Sequence, residues 1–331
     1  MSPVFSVIHR RDAKEIADLT KGGTDVLCLP RPTMGLFLTA LLSIVTASAE
    51  DATSSLGFLI SETRWVAFAP TGYDPIANPP RVPSDDSIRV DLRTLRNSGF
   101  DGLITYGAEL TSLVRLASEE GFSAVLLGVW DPSNSEEITL AIKAARDSVV
   151  KGIIVGNEGL TFQRYSVETL RDAMEDLRRE AGKPVSTTEV VEMFYTHPDL
   201  IEWSDFVTVN AHAYFHGHRD PVRAVDWTFG AWNRLKRQIP DKPILFKEVG
   251  LPTAGGAEDN EENQREFYFS LLTTTEVQFA FFEAFDQLFK PGQLEKSWGV
   301  FRADRSPKPA AGVLLDSESC TGPLMRSWCK R

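Results

Sequence analysis

Residues 124–158 read AVLLGVWDPSNSEEITLAIKAARDSVVKGIIVGNE, and the fold turns on how this stretch divides. Ala124–Trp130 and Gly152–Val155 are uncharged apolar runs, while Glu136–Ser148 between them carries apolar residues at helical spacing. Asn134, followed three places on by Glu137, supplies an N-cap with its N3 partner. Apolar runs that are continuous rather than alternating mark strands covered on both faces, the condition of a parallel sheet. The stretch is a strand–helix–strand unit.

The unit recurs in both directions. Upstream, Trp65–Ala69 (WVAFA) and Gly102–Tyr106 (GLITY) are strand-like. Downstream the same holds for Pro184–Thr188 (PVSTT), Phe206–Asn210 (FVTVN), Pro243–Phe246 (PILF) and Val277–Phe282 (VQFAFF). Helical patterns fill the gaps at Ser84–Asn97, Glu109–Glu120, Val167–Glu180, Val222–Gln238 and Glu261–Thr274, with only a short helix possible at Pro198–Trp203. Gly182 followed by Pro184 ends one helix and opens the next strand. Strands alternating with helices in this way predict an α/β fold, a single (β/α)8 barrel over residues 64–315. An N-terminal extension (1–49), a short linker (50–63) and a C-terminal tail (316–331) complete the expected organisation. A doubly wound sheet would place a G-x-G-x-x-G turn after its first strand, and WVAFAPTGYDP holds none.

Of the 331 residues, 24% are charged and 42% hydrophobic, the balance of a soluble globular protein. Lys and Arg number 35 against 46 Asp and Glu, a net charge of −11, so the basic excess that nucleic acid or an anionic membrane surface demands is missing. The three cysteines, Cys28, Cys320 and Cys329, are too few for a disulfide framework or a clustered zinc site. Residues 34–49 (MGLFLTALLSIVTASA) are uncharged and close on Ala47-Ser48-Ala49, the pattern of a secretory signal. The segment is short of the roughly 20 residues that span a bilayer, a single membrane anchor being the alternative. Arg10-Arg11 stands too far from the apolar core for a twin-arginine signal. Export to the medium, periplasm or cell wall is the expectation, for a monomer. In that oxidising setting Cys320 and Cys329 either close a small loop or remain free thiols.

Active sites of such barrels lie at the C-terminal strand ends. Here those ends carry Tyr106, Trp130, Asn157-Glu158, Glu189, His212 with Tyr214, Lys247-Glu248 and Glu283. Two carboxylates in one cleft can divide acid and nucleophile roles when their surroundings push their pKa values apart. Aromatic faces beside carboxylates and amides suit a neutral polyhydroxylated ligand. Glu158, Glu189, His212, Glu248 and Glu283 could form an oxygen-rich cation site. With a single histidine at these ends, no H-x-H on the first strand and no H-E-x-x-H helix, neither a catalytic metal nor another cofactor is expected.

The segments VGNE (155–158), KEVGLPT (247–253) and FFEAFDQ (281–287) resemble the signatures of family 17 of the glycoside hydrolases, the β-1,3-glucanases and β-1,3-glucanosyltransferases. LGVW, VNAHAYF and WGVF…DRSPK are similar to further segments of that family, and the resemblance runs from Trp65 to about Ala311. It implies a retaining attack on β-1,3-glucan through a glycosyl-enzyme, with Glu158 as acid/base and Glu248 as nucleophile. Transfer to a sugar hydroxyl instead of water is the close alternative, and a glucan-binding barrel without activity the remote one. Leu251 stands where the family usually has Trp, Ala213 where it often has Pro, and Gln287 where it often has an acid.

Beside the pair, Asn157 is expected to bond a sugar hydroxyl, and Tyr106, His212 and Tyr214 to meet substrate or the carboxylates. Glu283 is read as a substrate-binding acid, its alternative being a pair with a rim cation. Trp130 and Trp298 are candidate stacking platforms, whereas Trp203, Trp227 and Trp232 fall in helical patterns and belong to the core. His197, His216 and His218 sit in loops as surface groups, and Glu189 is open to either role. Because side chains alternate along a strand, Lys247 is expected to point away from the Glu248 pocket.

Overall fold

In the computed structural model, which describes residues 55–315, the strands close into a parallel barrel in chain order. They are β1 (Trp65–Ala67), β2 (Gly102–Ile104), β3 (Ala124–Val129), β4 (Val150–Val155), β5 (Val185–Val190), β6 (Val207–Asn210), β7 (Ile244–Val249) and β8 (Phe279–Phe281). Each pairs in parallel with the next, and β8 returns to β1 through Trp65↔Ala280 and Val66↔Phe281. The expected signal segment at 34–49, the tail and the three cysteines lie outside the described residues. No helix among the described residues is long and apolar enough to cross a membrane.

Helices ring the barrel: residues 55–62 (α1), Asp85–Asn97 (α2), Leu113–Glu119 (α3), Ser135–Ala144 (α4), Val167–Ala181 (α5), Val191–Thr196 (α6), Pro198–Trp203 (α7), Pro221–Gln238 (α8), Glu261–Thr274 (α9) and Gly292–Lys296 (α10). The starts of α2, α4, α5, α8 and α9 are set by side-chain caps. Ser84, Asn134, Ser166, Asp220 and Asn260 each accept from a backbone N–H in the first turn. Gly182 takes a left-handed φ of 61° and ends α5. The fifth connection holds two short helices, α6 and α7, where the periodicity shows only the second.

Successive strand residues alternate between two apolar layers. Leu103, Val125, Ile153 and Phe246 face outward to the helices, while Ile104, Leu126, Ile154 and Leu245 fill the barrel. The interior layer also takes in Leu56 and Ile60 of α1, beside Trp65, Ala124 and Phe206 near the strand starts. Trp65 Nε1 donates to Ile60 O at 3.2 Å. The stretch expected as a linker at 50–63 is therefore, over 55–62, a helix packed onto the barrel interior. It closes the end opposite the polar rim.

The strand ends move both ways at the rim, β1 stopping at Ala67 and β2 at Ile104, two residues before the expected ends. β5 runs on to Val190 and β7 to Val249, through polar residues that apolarity alone does not mark as strand. Their ladder bonds continue because the backbone, unlike the side chains, is indifferent to polarity.

Replacing Ile60, 2% exposed, by Ala should lower the unfolding free energy by about 2–5 kcal/mol, read as a drop in the urea midpoint at unchanged slope. A loss below about 1 kcal/mol would show that α1 is not part of the cooperative core.

Candidate active site

At the end of β4 the chain turns through Gly156 (φ 76°) and Glu158 (φ 55°). A left-handed backbone costs a residue with a Cβ roughly 1–2 kcal/mol, so neighbours must hold Glu158 there. Glu158 N–H donates to Thr188 O at 2.8 Å. Glu189, wholly buried on β5, accepts from Leu160 N–H (2.9 Å), Thr161 N–H (3.0 Å) and Thr161 Oγ1 (2.6 Å). Tyr165 closes over the turn. A Cβ at position 156 would lie 1.9 Å from its Oη, and one at 159 would lie 2.0 Å from its ring, so both positions need glycine. Glu189 is thus the support of the Glu158 loop.

On the far side, β7 carries a bulge. Val209 pairs with Phe246 and the next residue of β6, Asn210, pairs with Glu248, leaving Lys247 as the extra residue. The expected alternation fails there: Lys247 faces inward in step with Leu245, and the bulge brings Glu248 to the same side, so Lys247 lies in the pocket it was expected to avoid. Its Nζ donates to Glu248 Oε1 at 2.9 Å and to Asn157 Oδ1 at 2.6 Å, and it sits 4.5 Å from the centre of the Tyr106 ring. His212 Nε2 lies 3.0 Å from the other Glu248 oxygen. Asn210 Nδ2 donates to Glu158 Oε1 at 2.8 Å and to Asn157 Oδ1 at 3.2 Å.

These contacts separate the two acids. Burial alone would raise the pKa of Glu248, but the Lys247 charge and the His212 contacts outweigh it and hold the carboxyl at about 2. For Glu158, burial and then the Glu248 charge raise the pKa, with only partial relief from His212, Asn210 and Lys247. One acid stays ionised while the other is held toward its protonated form.

The remaining expected groups divide. Tyr106 is partly buried beside the pair, and burial of its hydroxyl followed by the Glu248 charge pushes its phenol well above the ordinary value. Glu283, 1% exposed, forms a buried pair with Lys290 at 2.7 Å. The reading as a substrate ligand gives way to the rim-cation alternative. Trp298 is wholly buried, its ring set edge-on to His212, Tyr214 and Phe282, so it backs the site instead of offering a stacking face. Tyr214 is likewise buried and donates to Asp259 at 3.1 Å. Trp203 and Trp227 are only partly buried against the core; Trp232 is buried in it.

Next to Tyr106 lies a cavity of about 360 Å³, lined by Phe68, Tyr73, Trp130, Arg164 and Tyr165 among others. Trp130 is the expected platform that does line open space, although the Arg164 guanidinium lies 4.3 Å over its ring. Arg164 also donates to Asn157 O. Neither Arg164 nor Tyr165 is singled out by sequence, since a loop after a strand carries no period to read. Glu137 does not complete a capping box with Asn134. It is buried and accepts instead from Trp130, Asp131 and Ala108 N–H groups at 2.7, 3.0 and 3.3 Å, and burial and then Glu109 push its pKa up to about 7.

Of the acids and histidine weighed for a metal, only Glu158, His212 and Glu248 come together, each offering an atom within 4.8 Å of the others. A dication there would share Glu248 with the Lys247 ammonium at 2.9 Å, a poor environment for a second positive charge.

Replacing Glu189 by Ala leaves three donors in the Glu158 loop unpaired. The variant should lose about 2–4 kcal/mol of stability, and the Leu160 and Thr161 amides should exchange with deuterium faster than in the parent protein. Unchanged protection of both amides would remove the support role.

Residues 71–299 match the BtgE/BtgC glycoside hydrolase domain. The chain is 25% identical over 251 residues to a cell surface mannoprotein of Candida albicans, covering 69% of this chain and 65% of that protein. It is 26% identical over 253 residues to a probable family 17 glucosidase of Saccharomyces cerevisiae, covering 70% and 64%. The chain thus spans a little under two thirds of the length of these relatives. In structure, a family 17 β-1,3-glucanosyltransferase from Rhizomucor miehei is similar with a TM-score of 0.64 at 22% identity, over 76% of this chain and 97% of that one, a likeness of fold. Since the matched domain takes in more than half of the sequence, the chain belongs to the BtgE/BtgC glycoside hydrolase domain family, and with it to family 17 of the glycoside hydrolases.

Proposed function

We propose that the chain is an exported, retaining glycoside hydrolase acting on β-1,3-glucan, with Glu248 as nucleophile and Glu158 as acid/base. The observation that carries this reading is the approach of the two carboxylates, with oxygens within 4.8 Å of each other. Retaining enzymes hold their carboxyl groups about 5–5.5 Å apart so that one reaches the anomeric carbon, whereas inverting enzymes leave about 6.5–9.5 Å for a water. The substrate class follows the names of the relatives, and export follows the 34–49 segment together with the cell-surface relative.

In the first step the ionised Glu248 attacks the anomeric carbon while Glu158 gives its proton to the departing glycosidic oxygen. Asn157 Nδ2 faces a sugar hydroxyl. Esterification removes the negative charge of Glu248, the pKa of Glu158 falls, and Glu158 becomes the base that activates the acceptor. Water as acceptor gives hydrolysis, and a sugar hydroxyl gives transfer. Laminari-oligosaccharides decide between them, because products longer than the donor mark transfer.

Glu248→Ala should abolish turnover of laminarin without unfolding the protein. Azide or formate should restore part of the activity and yield a product of inverted anomeric configuration. Full activity in this variant would mean that another group is the nucleophile.

Glu158→Gln should slow substrates with poor leaving groups far more than aryl glycosides with good ones. Because the raised pKa of Glu158 makes its acid form the active one, activity is lost as pH rises through that value. Glutamine has no such titration, so the basic limb of the pH–rate profile should vanish. Equal slowing of both substrates with the basic limb intact would reassign the role.

A further inference from the structure

Lys247 has no part in the chemistry just described, yet it is among the largest fully buried side chains of the protein. A buried ammonium is costly unless each of its hydrogens finds a partner. Lys247 finds three: Glu248 Oε1, Asn157 Oδ1 and the face of Tyr106. Two of these belong to different strand ends with different tasks. Leu245 faces inward and Phe246 outward, so without the bulge at Val209/Asn210 Lys247 would still face the barrel interior but Glu248 would point to the helices; the extra residue is what puts both in one pocket.

The second contact fixes a choice that an amide cannot make for itself. Asn157 Oδ1 accepts from both Lys247 and Asn210, so the oxygen edge of the amide is turned inward. Its Nδ2 makes no hydrogen bond within the described residues and is the edge left for a ligand acceptor. A hydroxyl oxygen meeting that edge is read as an acceptor.

We infer that Lys247 is a positioning residue, resting on the function proposed above: one ammonium sets both the carboxylate of the nucleophile and the amide polarity of Asn157, so that attack and hydroxyl recognition are tied to a single cation. Groups that face Glu248 from other elements are His212 after β6, Glu158 after β4, Tyr106 after β2, Glu283 after β8 and Glu295 on α10. Glu158, Glu283 and Glu295 are acids that oppose ionisation of Glu248, and Glu283 is already paired with Lys290. His212 and Lys247 are the groups that favour it, and of these Lys247 alone also reaches Asn157.

The test uses Lys247→Met, a side chain of similar length, in two measurements. The first needs no substrate. Carboxyl-carbon NMR of glutamate-labelled protein, with the Glu248 signal assigned through Glu248→Gln, should show a midpoint far below the ordinary 4.5 in the parent, moving up by about 1–3 units in Lys247→Met. The second is a double-mutant cycle with Asn157→Ala on kcat/KM for laminaritriose. The double variant should lose at least about ten-fold less than the product of the single losses, and the acid limb of the profile should rise with the NMR midpoint. A Glu248 midpoint unmoved by the substitution, or losses that multiply, overturns the inference. Should Lys247→Met fail to fold, the parent titration decides alone, a midpoint at or above 4.5 overturning it. A parent enzyme inactive on every β-glucan would defeat the proposed function, while the NMR titration would still decide the role of Lys247.

Discussion

Two carboxylates brought within 4.8 Å inside a barrel repel each other and both lose hydration, so a pair of ionised acids cannot persist there unless something positive is buried with them. Lys247 is that charge, and the rest of the rim follows from where it sits. To set Glu248 on the same side as Lys247, β7 takes an extra residue against β6. To receive it, Asn157 presents an oxygen and Tyr106 a ring face. The charge is also placed unevenly, bonded to Glu248 at 2.9 Å and reaching Glu158 only through space. One cation off-centre between two acids is enough to give them opposite protonation preferences.

Around this pair stand three further buried acids that the proposed reaction does not use. Glu137 gathers the N–H groups of the loops after β2 and β3, Glu189 those of the loop after β4, and Glu283 pairs with Lys290 beyond β8. Burial comes first among the causes that push each of them up to about 7. A carboxylate can accept several bonds at once, which suits a rim where strand ends leave backbone donors without ladder partners. The rim thus uses acids to fix loops as well as, on the function proposed, to cut glycosidic bonds. Counting carboxylates at strand ends cannot tell the two uses apart.

That ambiguity bounds what is legible in the sequence. The barrel is legible because parallel strands buried on both faces leave unbroken apolar runs, and α2, α5, α8 and α9 begin at side-chain caps close to where their patterns start. Glu158 and Glu248 are legible because each stands within three residues of the end of such a run. That Lys247 and Glu248 share one side is not, because alternation holds only for regular strands and a bulge leaves no mark in composition. The settings of Trp298 and Glu283 escape as well, because the face they present depends on the loop after β8, whose path has no period. Arg164 and α6 are hidden for the same reason. The helix at 55–62 reads as a linker, although Leu56 and Ile60 lie one turn apart.

The proposal that Glu248 forms a covalent glycosyl-enzyme is tested most directly by trapping it. Incubation with an activated 2-deoxy-2-fluoro β-laminaribioside, followed by peptic digestion and tandem mass spectrometry, should place the mass of the fluorinated sugar on the peptide containing Glu248. A label carried by Glu158, Glu189 or Glu283 instead, or an enzyme that turns the reagent over directly to the inverted sugar with no adduct formed, would contradict the account.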